Sequence, residues 1–150
     1  MEQNSIRIRN KKAFFNYEII DTYTAGIQLY GTEVKSIRAN KLSFTDAYCL
    51  FINNELWLRG IHIAEYAFGS YNNHVPKRDR KLLLNKKELD KIKRKTLEKS
   101  LTIVPLNIFF SKSGFVKLEI GVARGKKQFD KRESLKQKDS KRDLDRAMKF

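Results

Sequence analysis

Toward its C-terminal end the chain carries two apolar runs, Thr102 to Phe110 and Phe115 to Ala123, separated only by Ser111-Lys112-Ser113-Gly114. In the second run Val116, Leu118, Ile120 and Val122 recur at every other position and so fall on one face of an extended strand. That period fits no helix. The two runs predict an antiparallel hairpin, and a hairpin needs further strands to be stable in water. The rest of the chain supplies them: Phe14 to Thr24 ends at Ala25-Gly26, Tyr48 to Ile52 leads into Asn53-Asn54, and Leu56 to Leu58 precedes Gly60. Asn tolerates positive φ, so Asn53-Asn54 reads as a hairpin turn.

Two segments have helical signals instead. Thr32, after Gly31, is placed to cap a short helix running through Arg38, with Val34 and Ile37 on its inner side. A longer helix starts near Asn85, whose side chain can accept from backbone N–H groups, with Glu88 three residues on. Its stripe, Leu89 and Ile92, is narrow among Lys86, Lys87, Lys91, Lys93, Arg94 and Lys95, which predicts a surface helix with solvated cations. Five or so hairpin-linked strands with short helices outside predict a mainly β fold, a closed antiparallel oligonucleotide-binding-type barrel, over residues 1–124. Residues 125–150 differ: they hold 10 basic and 5 acidic side chains and no Val, Ile, Tyr or Trp. Such a segment cannot offset a backbone ordering cost of about 1–2 kcal/mol per residue, which predicts a basic tail that is disordered when free.

Charge narrows the function. A formal +15 on 150 residues, with a sequence pI near 10.0, creates a field that attracts polyanions, and nucleic acid is the first partner expected. Material for catalysis is scarce. The two histidines are His62, beside strand-like residues, and His74, in the polar run Tyr71-Asn72-Asn73-His74-Val75-Pro76; only His74 is a candidate RNA contact. Glu33, Asp46 and Glu119 are scattered among basic neighbours and read as salt-bridging or capping groups. No catalytic constellation, metal site or cofactor is predicted. Cys49 is the one cysteine and reads as a small buried hydrophobe, which fits a reducing compartment. The opening MEQNSIRIRN has no apolar signal region and no run is long enough to span a membrane, so a cytoplasmic location is expected.

The cations cluster at Asn10-Lys11-Lys12, at Lys35 and Arg38 on the short helix, and at Lys77-Arg78-Asp79-Arg80-Lys81, which reads as an exposed loop able to neutralise phosphates or stack on unpaired bases. Tyr30, Tyr66 and Tyr71 are candidate stacking platforms.

The strings NKKAFFNYEI (10–19), AGIQLYGTEVKSIR (25–38), KRDRKLLLN (77–85), LTIVPL (101–106) and GVARGKKQFDKR (121–132) resemble the bacterial SsrA-binding protein family, in that family's order and over nearly the whole chain. The resemblance implies an adaptor without catalytic activity. It would bind the tRNA-like domain of transfer-messenger RNA and deliver it to stalled ribosomes; a monomer is expected. The residues similar to the family's RNA-facing ones are Asn10, Lys11, Lys12, Lys35, Arg38, Arg78, Arg80, Lys81, Asn85 and Lys117, with Glu33 and Ser36 orienting that surface. Gly125, Lys126, Lys127, Asp130, Lys131 and Arg132 match the motif used on the ribosome. If the tail becomes helical there, Lys138, Arg142 and Arg146, spaced by four, form one basic ridge beside ribosomal RNA of the decoding region and messenger channel. Thr24, Val75 and Asn107 depart from the family's usual residues. The competing expectation is a structural ribosomal protein whose tail threads ribosomal RNA.

Overall fold

The computed structural model describes residues 6–69 and 73–126. In chain order the elements are β1 (Arg7–Arg9), α1 (Lys11–Asn16), β2 (Tyr17–Ile27), α2 (Gly31–Arg38), β3 (Leu42–Ser43), β4 (Tyr48–Ile52), β5 (Glu55–Arg59), β6 (His62–Ile63), β7 (Arg80–Leu83), α3 (Lys86–Lys99), β8 (Thr102–Phe110) and β9 (Val116–Gly125). The fold is mainly β with short helices. Pairing runs β8-β4-β5-β7-β2-β9 and returns from β9 to β8, all antiparallel, with β1 added outside on β8 and a separate two-stranded pair β3-β6.

The β8–β9 hairpin forms as its period of two requires, with Val116, Leu118, Ile120 and Val122 buried in the main core. β8 is buried on both faces. Ile103, Ile108 and Phe110 point into the main core, while Val104 and Leu106 meet Ala13 and Ala123 in a second, smaller cluster flanked by Phe14, Tyr17 and Ile19. This second cluster explains where the expected first strand departs from the structure. Residues 11–16 are a short helix because Ala13 and Phe14 cap the outer side of β8, and the strand begins only at Tyr17. Ala25-Gly26 is no turn either: β2 runs on to Ile27, paired with β7, and a Cβ on Gly26 would come within 3.2 Å of the Leu83 Cβ.

The Asn53-Asn54 turn is observed between β4 and β5, with φ of 51° and 65°. Gly60 ends β5 at φ +82°, where a Cβ would lie 2.2 Å from the Asp46 carbonyl oxygen, so only glycine lets the chain pass the β3–β4 loop. α3 starts at Asn85, whose Oδ1 accepts from the Glu88 N–H at 2.9 Å, and buries one side chain completely, Ile92, worth about 1.5–3 kcal/mol. Lys95 is not a solvated position as its helix pattern suggests. Its ammonium pairs with Asp21 and lies 3.3 Å from the Tyr23 hydroxyl, tying α3 to β2.

Among the described residues no helix is long and apolar enough to cross a membrane. Among them, too, no group of three or more His, Cys, Asp or Glu side chains could hold a metal ion.

Candidate nucleic-acid interface

Glu33, in the first turn of α2, is fully buried and organises the surface around it. Its Oε1 accepts from the Tyr30 backbone N–H at 2.8 Å and from Arg78 through Nε at 3.1 Å and Nη2 at 2.5 Å. Its Oε2 accepts from Arg80 Nε at 2.5 Å, with Arg80 Nη2 also at 2.5 Å. Burial alone would raise the Glu33 pKa, but the hydrogen bonds from Arg78 and Tyr30 and the charge of Arg80 hold it below the ordinary 4.5. One carboxylate thus serves two guanidinium groups, which fixes the segment 78–80 against α2.

Arg80 is therefore not the exposed, RNA-facing side chain that the run Lys77 to Lys81 suggests. It is fully buried, and its remaining donors go to the carbonyls of Ile61 at 3.2 Å, Arg78 at 2.8 Å and Pro76 at 3.0 Å. A guanidinium with every nitrogen bonded inside the protein has nothing left to offer a phosphate. His74 is likewise internal at 4% exposure, 2.9 Å from both the Ile63 carbonyl and the Thr32 hydroxyl. A carbonyl only accepts, so Nε2 carries the proton and, in the neutral ring, Nδ1 accepts from Thr32. Asn10 is also mostly buried. Its backbone N–H donates to the Leu106 carbonyl and its Nδ2 to that of Pro105, both at 2.8 Å, beside the irregularity in β8 after Pro105. Ser36 is buried with no partner for its Oγ among the described residues. All four side chains are buried and are not presented at the surface.

Lys11, Lys12, Lys35, Arg38 and Asn85 are exposed, while Arg78, Lys81 and Lys117 are half-buried. Lys81 pairs with Glu55 at 3.1 Å, Asn85 spends its side-chain oxygen on the α3 cap, and Lys117 stands opposite Gly26 and Phe109 in the sheet. Lys12 and Asn10 line an open groove of about 390 Å³ together with Tyr17 and Tyr48. Tyr30 is exposed beneath Arg78, Tyr66 is half-buried below Lys35, and Tyr71 lies outside the described residues.

Two further cations that the sequence did not single out are exposed, and one of them, Arg9, lines a groove with Lys11 and Lys12. Arg7 and Arg9 are exposed on the edge strand β1, set over Phe109 at 4.6 Å and Phe14 at 4.0 Å, and Arg38 lies 5.4 Å from Phe110. The alternation Arg7-Ile8-Arg9 was the available signal, a three-residue strand with both cations on one face. Of the departures, Asn107 is buried with Nδ2 donating to Glu119 at 3.2 Å, Thr24 faces Glu119 across β2–β9, and Val75 is exposed.

Gly125 and Lys126 belong to the body and not to a separate tail: Gly125 pairs with Tyr17 at the end of β9 and the Lys126 N–H donates to the Asn16 carbonyl at 3.0 Å. Lys127, Asp130, Lys131, Arg132, Lys138, Arg142 and Arg146 lie outside the described residues.

Exposed lysines and arginines braced on aromatic rings, around a ring of antiparallel strands, define a small, strongly basic β-sheet protein whose surface suits a polyanion. The family profile described as SmpB protein matches residues 7–150, and the chain belongs to that family. The SsrA-binding proteins of Bacteroides thetaiotaomicron and Phocaeicola vulgatus are each 56% identical to it over 149 residues, covering 99% of both chains. That of Flavobacterium johnsoniae is 54% identical over 145 residues, 97% of this chain and 96% of the relative. A solved structure described as "tmRNA-SmpB: a journey to the center of the bacterial ribosome" superposes with a TM-score of 0.70 at 46% identity, covering 87% of this chain and 95% of that one.

Proposed function

We propose that this chain is the RNA-binding adaptor of trans-translation, which binds the tRNA-like part of transfer-messenger RNA and carries it to stalled ribosomes in the cytoplasm. The observation that carries this is the 56% identity over 99% of the chain to proteins named for binding SsrA RNA. The likeness to a chain solved with transfer-messenger RNA and the ribosome supports it further. The cycle of strand pairing is the wall of an oligonucleotide-binding-type barrel. The exposed cations Lys11, Lys12, Lys35 and Arg38, with the half-buried Lys117, contact RNA phosphates. Arg80, Glu33, His74 and Asn10 act one layer below, holding those cations and the Tyr30–Arg78 face in place. No residue is assigned a catalytic role. The segment 127–150 engages the ribosome through its basic residues, and the protein acts as a monomer.

Affinity purification of the tagged chain under native conditions tests this. Recovery of one small RNA identified as transfer-messenger RNA is expected, with the chain present on only a small fraction of ribosomes. Stoichiometric presence on every ribosomal subunit without that RNA would assign the chain to the structural ribosomal proteins instead.

A further inference from the structure

Tyr30 is 61% exposed, an unusual position for a large ring at the start of a helix, and one of its faces is already taken. Arg78 Cζ sits 4.3 Å from the ring centroid. That guanidinium is immobilised: besides its two bonds to Glu33, Nη2 donates to the Gln28 carbonyl and Nη1 to the Asp79 carbonyl, both at 3.1 Å. The backbone of Tyr30 is fixed as well, through its N–H on Glu33 and its carbonyl, which accepts from the Glu33 and Val34 N–H groups at 3.1 Å. The backbone beside the ring is open as well, since a Cβ on the neighbouring Gly31 would meet nothing within 4 Å.

Charge favours a polyanion at this spot. Two guanidinium groups share the single Glu33 carboxylate, and the nearby Asp79 carboxylate is held by Arg59 at 3.0 and 3.2 Å, leaving the cluster beside Tyr30 net positive. A planar, cation-backed ring that is already ordered loses little entropy on accepting a second plane. The geometry points to Tyr30 and Arg78 as a stacking platform for one unpaired nucleobase, with Tyr30 supplying the outer face and Arg78 the rigid backing. This rests on the RNA-binding reading and adds a site to it.

The test measures anisotropy of a short fluorescent oligoadenylate and of an abasic ribose-phosphate oligomer of equal length, against the full chain and its Tyr30→Ala and Tyr30→Trp variants. Stacking on an aromatic ring predicts that Tyr30→Ala binds oligoadenylate roughly 5- to 150-fold more weakly, whereas Tyr30→Trp binds as well as the native chain or better. All three should bind the abasic oligomer alike, and all three should melt at similar temperatures because the capping bonds are made by backbone. Equal losses on both oligomers, no loss on either, or a native chain indifferent to the presence of bases would each overturn the platform. The adaptor reading fails by a different result, the absence of transfer-messenger RNA from the native purification, so failure of the platform and failure of the adaptor role are distinguishable.

Discussion

Replacing Glu33 by Gln keeps its shape but removes the one negative charge between Arg78 and Arg80. Arg80 would then be a fully buried cation with no carboxylate bonded to it, a situation that costs about 3–5 kcal/mol. Glu33→Gln is expected to lower unfolding free energy by about that much at pH 7 in urea melts; a change within about 0.5 kcal/mol would show that the carbonyls alone satisfy Arg80. The pH dependence has a definite sign. The folded-state pKa of Glu33 lies below its unfolded value near 4.5, so its contribution is complete above that value and is lost as pH falls through the lowered folded one. The stability gap between native chain and Glu33→Gln should stay constant from pH 7 to about 5 and narrow below it. None of this was legible in Lys77 to Lys81, which reads as one solvated run, because the partner of Arg80 lies 47 residues away on another element. The alternation of Arg80 with Leu82 was the only local sign that the side chain points inward.

At the level of elements, most of what the sequence states by period or by cap is what formed; the exception is α2, which is capped at Tyr30, while the expected cap Thr32 lies inside the helix with its hydroxyl on His74. The β8–β9 hairpin, the Asn53-Asn54 turn and the Asn85 cap each depend on residues within a few positions of one another. The stretch 11–27 did not, because its conformation is decided by the outer face of β8 for Ala13 and Phe14 and by Leu83 for Gly26, contacts that no local pattern records. α3 offers a clean test of the local part. Removing the Oδ1 acceptor with Asn85→Ala should cost about 1 kcal/mol, while Ser100→Gly, at a C-cap held at φ 51°, should gain up to about 1 kcal/mol. Both are read from chemical melts. If Asn85→Ala were silent, packing of Ile92 alone would set where the helix starts.

For the whole molecule, the charge divides between a body that presents Lys11, Lys12, Lys35 and Arg38 on folded elements and a segment rich in cations beyond it. If the body recognises the tRNA-like RNA, deleting residues 127–150 should leave specific binding within about tenfold, or about 1.4 kcal/mol, while abolishing rescue of stalled ribosomes. Body substitutions should behave in the opposite way. Each phosphate contact releases condensed counterions, so the double variant Lys11→Ala, Arg38→Ala should lower the slope of log affinity against log salt by about 1.4–1.8. Its melting should be unaffected, because both side chains are exposed and the cation–π contact of Arg38 with Phe110, at 5.4 Å, is worth little there. Arg80→Ala provides the contrast: it removes the same charge from a buried position, so its loss of RNA binding should track its loss of stability. A deletion that flattened the salt slope, together with a double variant that left it unchanged, would move recognition from the folded body to the segment 127–150.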